Sequence, residues 1–180
     1  MYYFIINPAS GSGRGLSVWK TIENELNRLG TDYRAFLLSR PGEAQQLVSG
    51  FTSRKSPCTI VAVGGDGTIN DIMNGLESFE HITFACIPTG SGNDFVRGMG
   101  LCSDPVGALH IILNPKEIQK INIGLFTAPG QQKTSSFSFA VSSGFGYDAA
   151  VCDSVQKSGL KKMLNLFHAG KVVYLLTALW

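Results

Sequence analysis

The sequence has no CxxC pair, no histidine cluster and no block of like charge. Its four cysteines, Cys58, Cys86, Cys102 and Cys152, lie far apart, which excludes the ligand spacing of zinc fingers and ribbons. Cys58 and Cys86 fall inside apolar runs, where a reduced cysteine acts as a small hydrophobe, and this usage suits a cytosolic location. Fifteen Lys and Arg against thirteen Asp and Glu leave a formal charge of +2. No basic track for a nucleic-acid backbone follows from that, so nucleic acid is not an expected partner. His81, His110 and His168 each stand apart from any patterned serine or cysteine nucleophile, and a hydrolase reading finds no support. Residues 1–6, MYYFII, lack the basic segment and cleavage site of a signal peptide. They are also too short to cross a bilayer, which takes roughly 20 apolar residues.

With 44% hydrophobic and 16% charged residues, the chain has the composition of a folded protein rather than a disordered one. Short apolar runs alternate with helical periods. Tyr2 to Ile6 reads as a buried strand that stops at Asn7-Pro8. Leu16, Trp19, Ile22, Leu26 and Leu29 recur at helical spacing, with Gly30 placed as a C-terminal cap. A strand over residues 33–38, a helix over 42–51, a β-branched strand over 59–63, a helix over 68–76 and a strand over 83–87 follow. Two short helices are expected over 93–99 and 105–113. Such alternation implies an α/β fold with a mainly parallel sheet covered on both faces, where ligands bind at the carboxyl ends of strands. After residue 118 the texture changes. Residues 121–124 and 136–141 alternate with period two and read as antiparallel strands joined by a polar loop over 127–135. A domain boundary near Lys120 is therefore expected, with a nucleotide-binding α/β domain over 1–120 and the beginning of an incomplete β-rich domain over 121–180.

Three glycine-rich loops fall at strand ends. The first motif in strength is Gly64-Gly65-Asp66-Gly67-Thr68-Ile69-Asn70. Its glycines allow backbone N–H groups to approach an anion, and the helix that follows aims its positive end at the same place. Asp66 would repel phosphate unless it serves a metal or a proton transfer; a plain Asp-Gly turn would show the same residues. The second loop, Asn7-Pro8-Ala9-Ser10-Gly11-Ser12-Gly13-Arg14-Gly15, offers hydroxyls and a guanidinium that can pair with phosphate. It is not a Walker A loop, because GxxxxGK[ST] is missing, and an ordinary flexible connection is an equal reading. The third, Pro88-Thr89-Gly90-Ser91-Gly92-Asn93-Asp94-Phe95-Val96-Arg97, again joins a strand end to a helix start. There Asn93 or Asp94 would serve as an N-cap, and Arg97 would contact phosphate or neutralise Asp94.

In this order and spacing the three loops resemble NPxSG, GGDGTIN(D/E) and PxGxGNDF(A/V)R of the diacylglycerol kinase and sphingosine kinase-like lipid kinase family. Asn122-Ile123-Gly124 and Ser143-Gly144-Phe145-Gly146-Tyr147-Asp148 resemble its VDIG and SxGFDA stretches. The resemblance implies an N-terminal three-layer domain of the NAD kinase and diacylglycerol kinase type, followed by the start of a β-sandwich. It implies ATP in the cleft between them, Mg²⁺, and transfer of the γ-phosphate to a lipid alcohol, diacylglycerol-like or sphingoid. By position, Asn7, Pro8, Ser10, Gly11, Gly64, Gly65, Gly67, Thr68, Asn70, Gly90, Ser91 and Asn93 would contact the nucleotide. Asp66 would be the catalytic acid, and metal ligands are left unassigned.

Departures from the pattern are Asp71 where members commonly have Glu, Ser91 where Thr is usual, and Leu38, next to Ser39, where a nucleotide-contacting Thr is expected. Members are usually longer, and the late acidic motif of the sandwich has no counterpart here. A continuation beyond Trp180 is therefore expected. A soluble-substrate kinase of the NAD kinase type, which shares GGDG, is the alternative, and a chain that binds nucleotide without catalysis is the third reading. Lys157, Lys161, Lys162 and Lys171 flank an apolar stretch that suits either transient contact with a membrane surface or a helix packed on the sandwich. Open strand edges in a half-built sandwich would invite homo-oligomer formation.

Overall fold

The computed structural model describes residues 1–52, 56–128, 135–144 and 146–157. The first four strands are β1 (Tyr2–Ile6), β2 (Tyr33–Leu37), β3 (Cys58–Gly64) and β4 (Ile82–Pro88). They form one parallel sheet in the order β2-β1-β3-β4. Between and after them come helices α1 (Arg14–Leu29), α2 (Glu43–Thr52), α3 (Asp66–Gly75), α4 (Asp94–Gly98) and α5 (Pro105–Leu113).

Strand residues alternate between two cores. Phe4, Ile6, Val61, Val63 and Ile87 pack with Trp19, Ile22 and Leu26 of α1 and with Ala108 and Leu109 of α5. Ile5, Ile60, Ala62 and Cys86 face the other way, onto Ala44 and Val48 of α2, Ile69, Ile72 and Met73 of α3, and Phe95 and Val96 of α4. This burial on both faces explains why β3 reads as a continuous apolar run rather than an alternating one. Each fully buried aliphatic or aromatic side chain contributes about 1.5–3 kcal/mol. The result is the three-layer α/β arrangement expected from the alternation of elements.

The helix starts differ from the sequence expectation. α1 begins at Arg14 and α3 at Asp66, each two residues early. For α3 the reason is that Gly65 already takes the extended N-cap conformation, so the Asp-Gly pair is the first turn of a helix rather than a free loop. α5 starts as its sequence suggests: Pro105 follows the N-cap Asp104, whose carboxylate accepts from the Gly107 N–H at 2.7 Å.

β5 (Gly124–Ala128) and β6 (Ser135–Phe139) form a separate antiparallel pair. The pairing is antiparallel as expected, but β5 starts at Gly124, so residues 121–123 precede it and Thr127 and Ala128 belong to it rather than to the loop. The shift places Gly124 opposite Phe139, whose ring covers the space that a side chain at 124 would need. Residues Met1–Val141, hairpin included, form one compact unit. In the second unit, Ser142–Trp180, the described element is α6 (Tyr147–Lys157). The lysine-flanked stretch after residue 157, the apolar run 171–180 and Phe145 lie outside the described residues. Among the described residues no helix is long and apolar enough to cross a membrane.

Candidate functional site

The strand order decides where a ligand can sit. From β1 the chain crosses to β2 on one side and then returns to β3 on the other, so connections leave the carboxyl ends of β1 and β3 in opposite directions. A crevice opens at such a switch point. The loops after β1, β3 and β4 meet there, and the main-chain ladder brings them together: the Asn7 N–H donates to Val63 O at 2.9 Å, and the Thr89 N–H to Gly64 O at 3.0 Å.

Side chains then tie each loop to the others. The Asn7 amide donates to Thr68 Oγ1 at 3.0 Å, while its oxygen accepts from the Ala9 N–H at 3.1 Å. The Ser10 hydroxyl donates to Asn7 O at 2.8 Å and shares a short hydrogen bond with the Thr89 hydroxyl. Thr68 and Thr89 are buried, so these bonds satisfy hydroxyls that water does not reach. Thr89 had no assigned role in the sequence reading; its signal was a polar residue directly after a buried strand end.

Close contacts demand glycine at several places, among them 11 and 90. Gly11 has φ +57°, and a Cβ there would lie 2.1 Å from Thr89 O. Gly65 and Gly90 cross backbone to backbone, with a Cβ at Gly90 falling 2.6 Å from the Gly65 Cα. Any side chain at 90 would push the β3 and β4 loops apart.

Asp66, the first residue of α3, is bound to α4. Its Oδ2 accepts from the Asp94 N–H at 3.1 Å and its Oδ1 from the Phe95 N–H at 2.9 Å. Asn93, the local N-cap, is left-handed at φ +50° and gives α4 no side-chain cap. Instead the Asn93 amide donates to Gly90 O at 3.0 Å, and its buried Oδ1 has no hydrogen-bond partner among the described residues. The carboxylate of Asp66 therefore caps α4 from a different helix, a link between the β3 and β4 loops that sequence alone did not suggest. Asp94 is not the N-cap; its exposed carboxylate pairs with Arg97 at 3.5 Å. Asp66 Oδ2 and Asp94 Oδ2 each lie 3.3 Å from where a Cβ on Gly92 would be, so both carboxylates converge beside that glycine.

Of the remaining sequence candidates, Pro8 is half-buried in the β1 loop, Gly64 packs against the Thr68 side chain, and Gly67, Asn70 and Ser91 are exposed. Asn70 accepts from Asn74 one turn further along α3. Arg14, the first residue of α1, is exposed. Leu38 packs against the α2 and α3 core, and Ser39 donates both its N–H and its hydroxyl to Glu43 at the start of α2, at 2.6 and 2.9 Å. Those bonds hold the Glu43 carboxyl below its usual range. Burial raises Asp71 against a hydrogen bond from the Gly42 backbone. Cys86, behind the loops, is pushed up to about 12 by burial and by the charge of Asp66, which makes it an inert packing thiol. Among the described residues no three His, Cys, Asp or Glu side chains cluster as a metal site.

The site thus combines the first turn of α3 with hydroxyls and two carboxylates at a switch point, while at the start of α1 the Arg14 and Gly15 N–H groups already donate to Gly11 O and Ser10 O. The profile of the diacylglycerol kinase catalytic domain matches residues 1–126. The chain belongs to that family. Over 99% of its length it is 31% identical to the Bacillus subtilis (strain 168) protein YtlR, whose name classes it as a candidate lipid kinase. It is 33% identical over 67% of its length to a diacylglycerol kinase of Staphylococcus haemolyticus (strain JCSC1435), and 31% identical over 58% to sphingoid long-chain bases kinase 1 of Arabidopsis thaliana. A crystal structure of a diacylglycerol kinase from Bacillus anthracis str. Sterne superposes with TM-score 0.58 at 25% identity, covering 70% of this chain and 43% of that one. The chain spans 58% of the length of the Bacillus subtilis relative and 36% of the staphylococcal one. The three glycine-rich loops identified in the sequence are those that the fold brings together at the switch point.

Proposed function

We propose that the chain is the nucleotide-binding part of an ATP-dependent lipid kinase, and that phosphate is held where the β1, β3 and β4 loops meet. The observation that carries this reading is the interlocking of those loops by Asn7–Thr68, Ser10–Thr89 and Asp66–Asp94/Phe95 at the switch point of a parallel sheet. Asn7, Pro8, Ser10, Gly11, Gly64, Gly65, Gly67, Thr68, Asn70, Gly90, Ser91 and Asn93 would surround the nucleotide, with helix N-termini facing its phosphates. We assign the functional division near Lys120, with residues 1–120 serving the nucleotide and 121–180 beginning the acceptor side.

Phosphoryl transfer requires an in-line hydroxyl, charge neutralisation and little else from the protein. Asp66 would orient the acceptor hydroxyl or take its proton. Magnesium typically needs only one or two carboxylates beside substrate phosphates, and the convergence of Asp66 and Asp94 on Gly92 fits that requirement. Bound there, it would neutralise charge on the transferred group. The acceptor would be a lipid alcohol, diacylglycerol-like or sphingoid, met at a membrane surface by a protein otherwise in the cytoplasm.

The test is direct. ATP with Mg²⁺ should raise the melting temperature of the full chain, and label from γ-³²P-ATP should pass to a diacylglycerol or sphingoid base in micelles. Labelling of NAD and not of lipid would favour the soluble-substrate alternative. A thermal shift without transfer to any acceptor would leave a nucleotide-binding chain and remove the kinase reading from it.

A further inference from the structure

Asn74 sits at the far end of α3 from the phosphate loops and turns both ends of its amide to the hairpin. Its Oδ1 accepts from the Ser138 N–H at 2.7 Å and its Nδ2 donates to Ser138 O at 2.9 Å. The same nitrogen reaches back to Asn70 O at 2.9 Å and Asn70 Oδ1 at 3.2 Å. Both main-chain groups of Ser138 are thus directed at Asn74 and away from β5, where Ser138 stands opposite Leu125. One side chain does for β6 at this point what a third strand would do.

Two features make the contact specific. The amide orientation follows from Ser138, because only oxygen toward its N–H and nitrogen toward its carbonyl gives both groups a complementary partner. The contact also joins elements 64 residues apart in sequence. Helix α3 is a single rigid rod of ten residues, with Asp66 at one end and Asn74 eight residues on, about 12 Å along its axis. Gln45 of α2 donates to Asn74 O at 3.1 Å, which holds that end of the rod against the neighbouring helix. Ile123 and Ala140, on either side of the hairpin, pack on the same core.

We propose that Asn74 is a positioning residue that registers β6 on α3 and so fixes the hairpin wall relative to the phosphate loops. Resting on the lipid kinase reading, its role is to set where the acceptor stands against the bound nucleotide, without touching either. A side chain that only stabilised the fold would change both substrates' constants together, or neither. A registering one should lower turnover and leave nucleotide affinity alone.

The experiment uses the full chain and two lesions from opposite sides of the contact. Asn74→Ala removes both bonds. Ser138→Pro removes the donor N–H that faces Asn74 and leaves the ladder with β5 intact. Hydrogen exchange at Ser138 in Asn74→Ala should rise by about tenfold, the effect expected for loss of one well-made hydrogen bond. In Ser138→Pro, which leaves the Asn74–Asn70 bonds in place, the affinity for a non-hydrolysable ATP analogue should stay within about threefold of wild type, while kcat for a short-chain diacylglycerol in micelles falls by about tenfold or more. Unchanged exchange at Ser138 would overturn the clamp. Lost protection with unchanged kcat, or loss of nucleotide affinity in step with kcat, would overturn the positioning role. A wild-type chain that transfers no phosphate would instead count against the kinase reading, while the exchange result would still decide the clamp.

Discussion

Replacing Asp66 tests both the cap that its carboxylate forms on α4 and the catalytic role proposed for it. It accepts from the Asp94 and Phe95 N–H groups, which are orphan donors at the start of α4, and α4 has no other side-chain cap. Asp66→Ala leaves both donors to water. Losing an N-cap acceptor costs about 0.5–2 kcal/mol, and hydrogen bonds to a charged partner lie at the upper end of that scale. Because Asp66 is only half-buried, water can partly replace it, so a loss of about 1–2 kcal/mol is expected. For a chain of this size that is a fall in Tm of roughly 2–8 °C. Asp66→Asn keeps one acceptor and turns an NH₂ toward the other donor, so it should lie between Ala and wild type. Urea melts of the three proteins measure the capping term, and lipid phosphorylation measures the chemistry. Asp66→Ala as stable as wild type, within about 0.3 kcal/mol, would refute the capping argument. If Asn restored most of the stability and none of the transfer, the two roles would be separated. If transfer simply tracked stability across the series, Asp66 would be a cap and nothing more.

Gly90→Ala should cost about 1–3 kcal/mol in a urea melt, because its Cβ would fall 2.6 Å from the Gly65 Cα and backbone must move to admit it; stability equal to wild type would show that the two loops are not in contact. Cys86 should resist iodoacetamide in the native chain at pH 8 while exposed Cys152 is modified, since burial closes Cys86 to the reagent and pushes its thiol up to about 12; mass spectrometry of the peptides reads this directly. Glu43 lies below its usual value because Ser39 donates to it. Its folded value being the lower one, its contribution is present above the unfolded value near 4.5 and is lost as pH falls through the folded one, so Glu43→Gln should flatten the acid side of the stability profile.

The three loops were legible in the sequence because each is a break in hydrophobicity: a β-branched or apolar run, then Asn7-Pro8, Gly64-Gly65 or Pro88-Thr89-Gly90, then a helical period. Strand order was not, since no residue in Tyr2–Ile6 states which neighbours it will have; that choice lies in packing across two cores. The cap on α4 was hidden for a related reason. Capping rules look three or four residues along the chain, and Asp66 stands 28 residues before the Asp94 N–H it binds. Asn93, the local candidate, has the right chemistry but spends its amide on Gly90 O. The limits of β5 were misplaced because period-two alternation at Ile121–Ile123 is also what a segment packing one side on a core looks like, and Ile123 does that.

These long-range bonds change what the glycine-rich loops mean. A flexible loop that closes on phosphate must lose conformational freedom at the moment of binding. Here Asn7, Ser10, Asp66, Thr68 and Thr89 hold the loops with bonds inside the protein, two of them through hydroxyls that are buried. The glycines at 11, 65 and 90 then serve close approach between backbones rather than looseness. Such a site is arranged before its ligand arrives, and the ordering is offset during folding by the cores beneath it. It follows that Thr89→Val, which breaks a loop tie at a residue outside the proposed contact set, should weaken nucleotide binding without removing any group that touches the nucleotide. The loss should grow with temperature as the untied loops gain freedom, which isothermal titration at two temperatures would reveal. Equal affinity in Thr89→Val and wild type would mean that the phosphate, rather than the protein, arranges the loops.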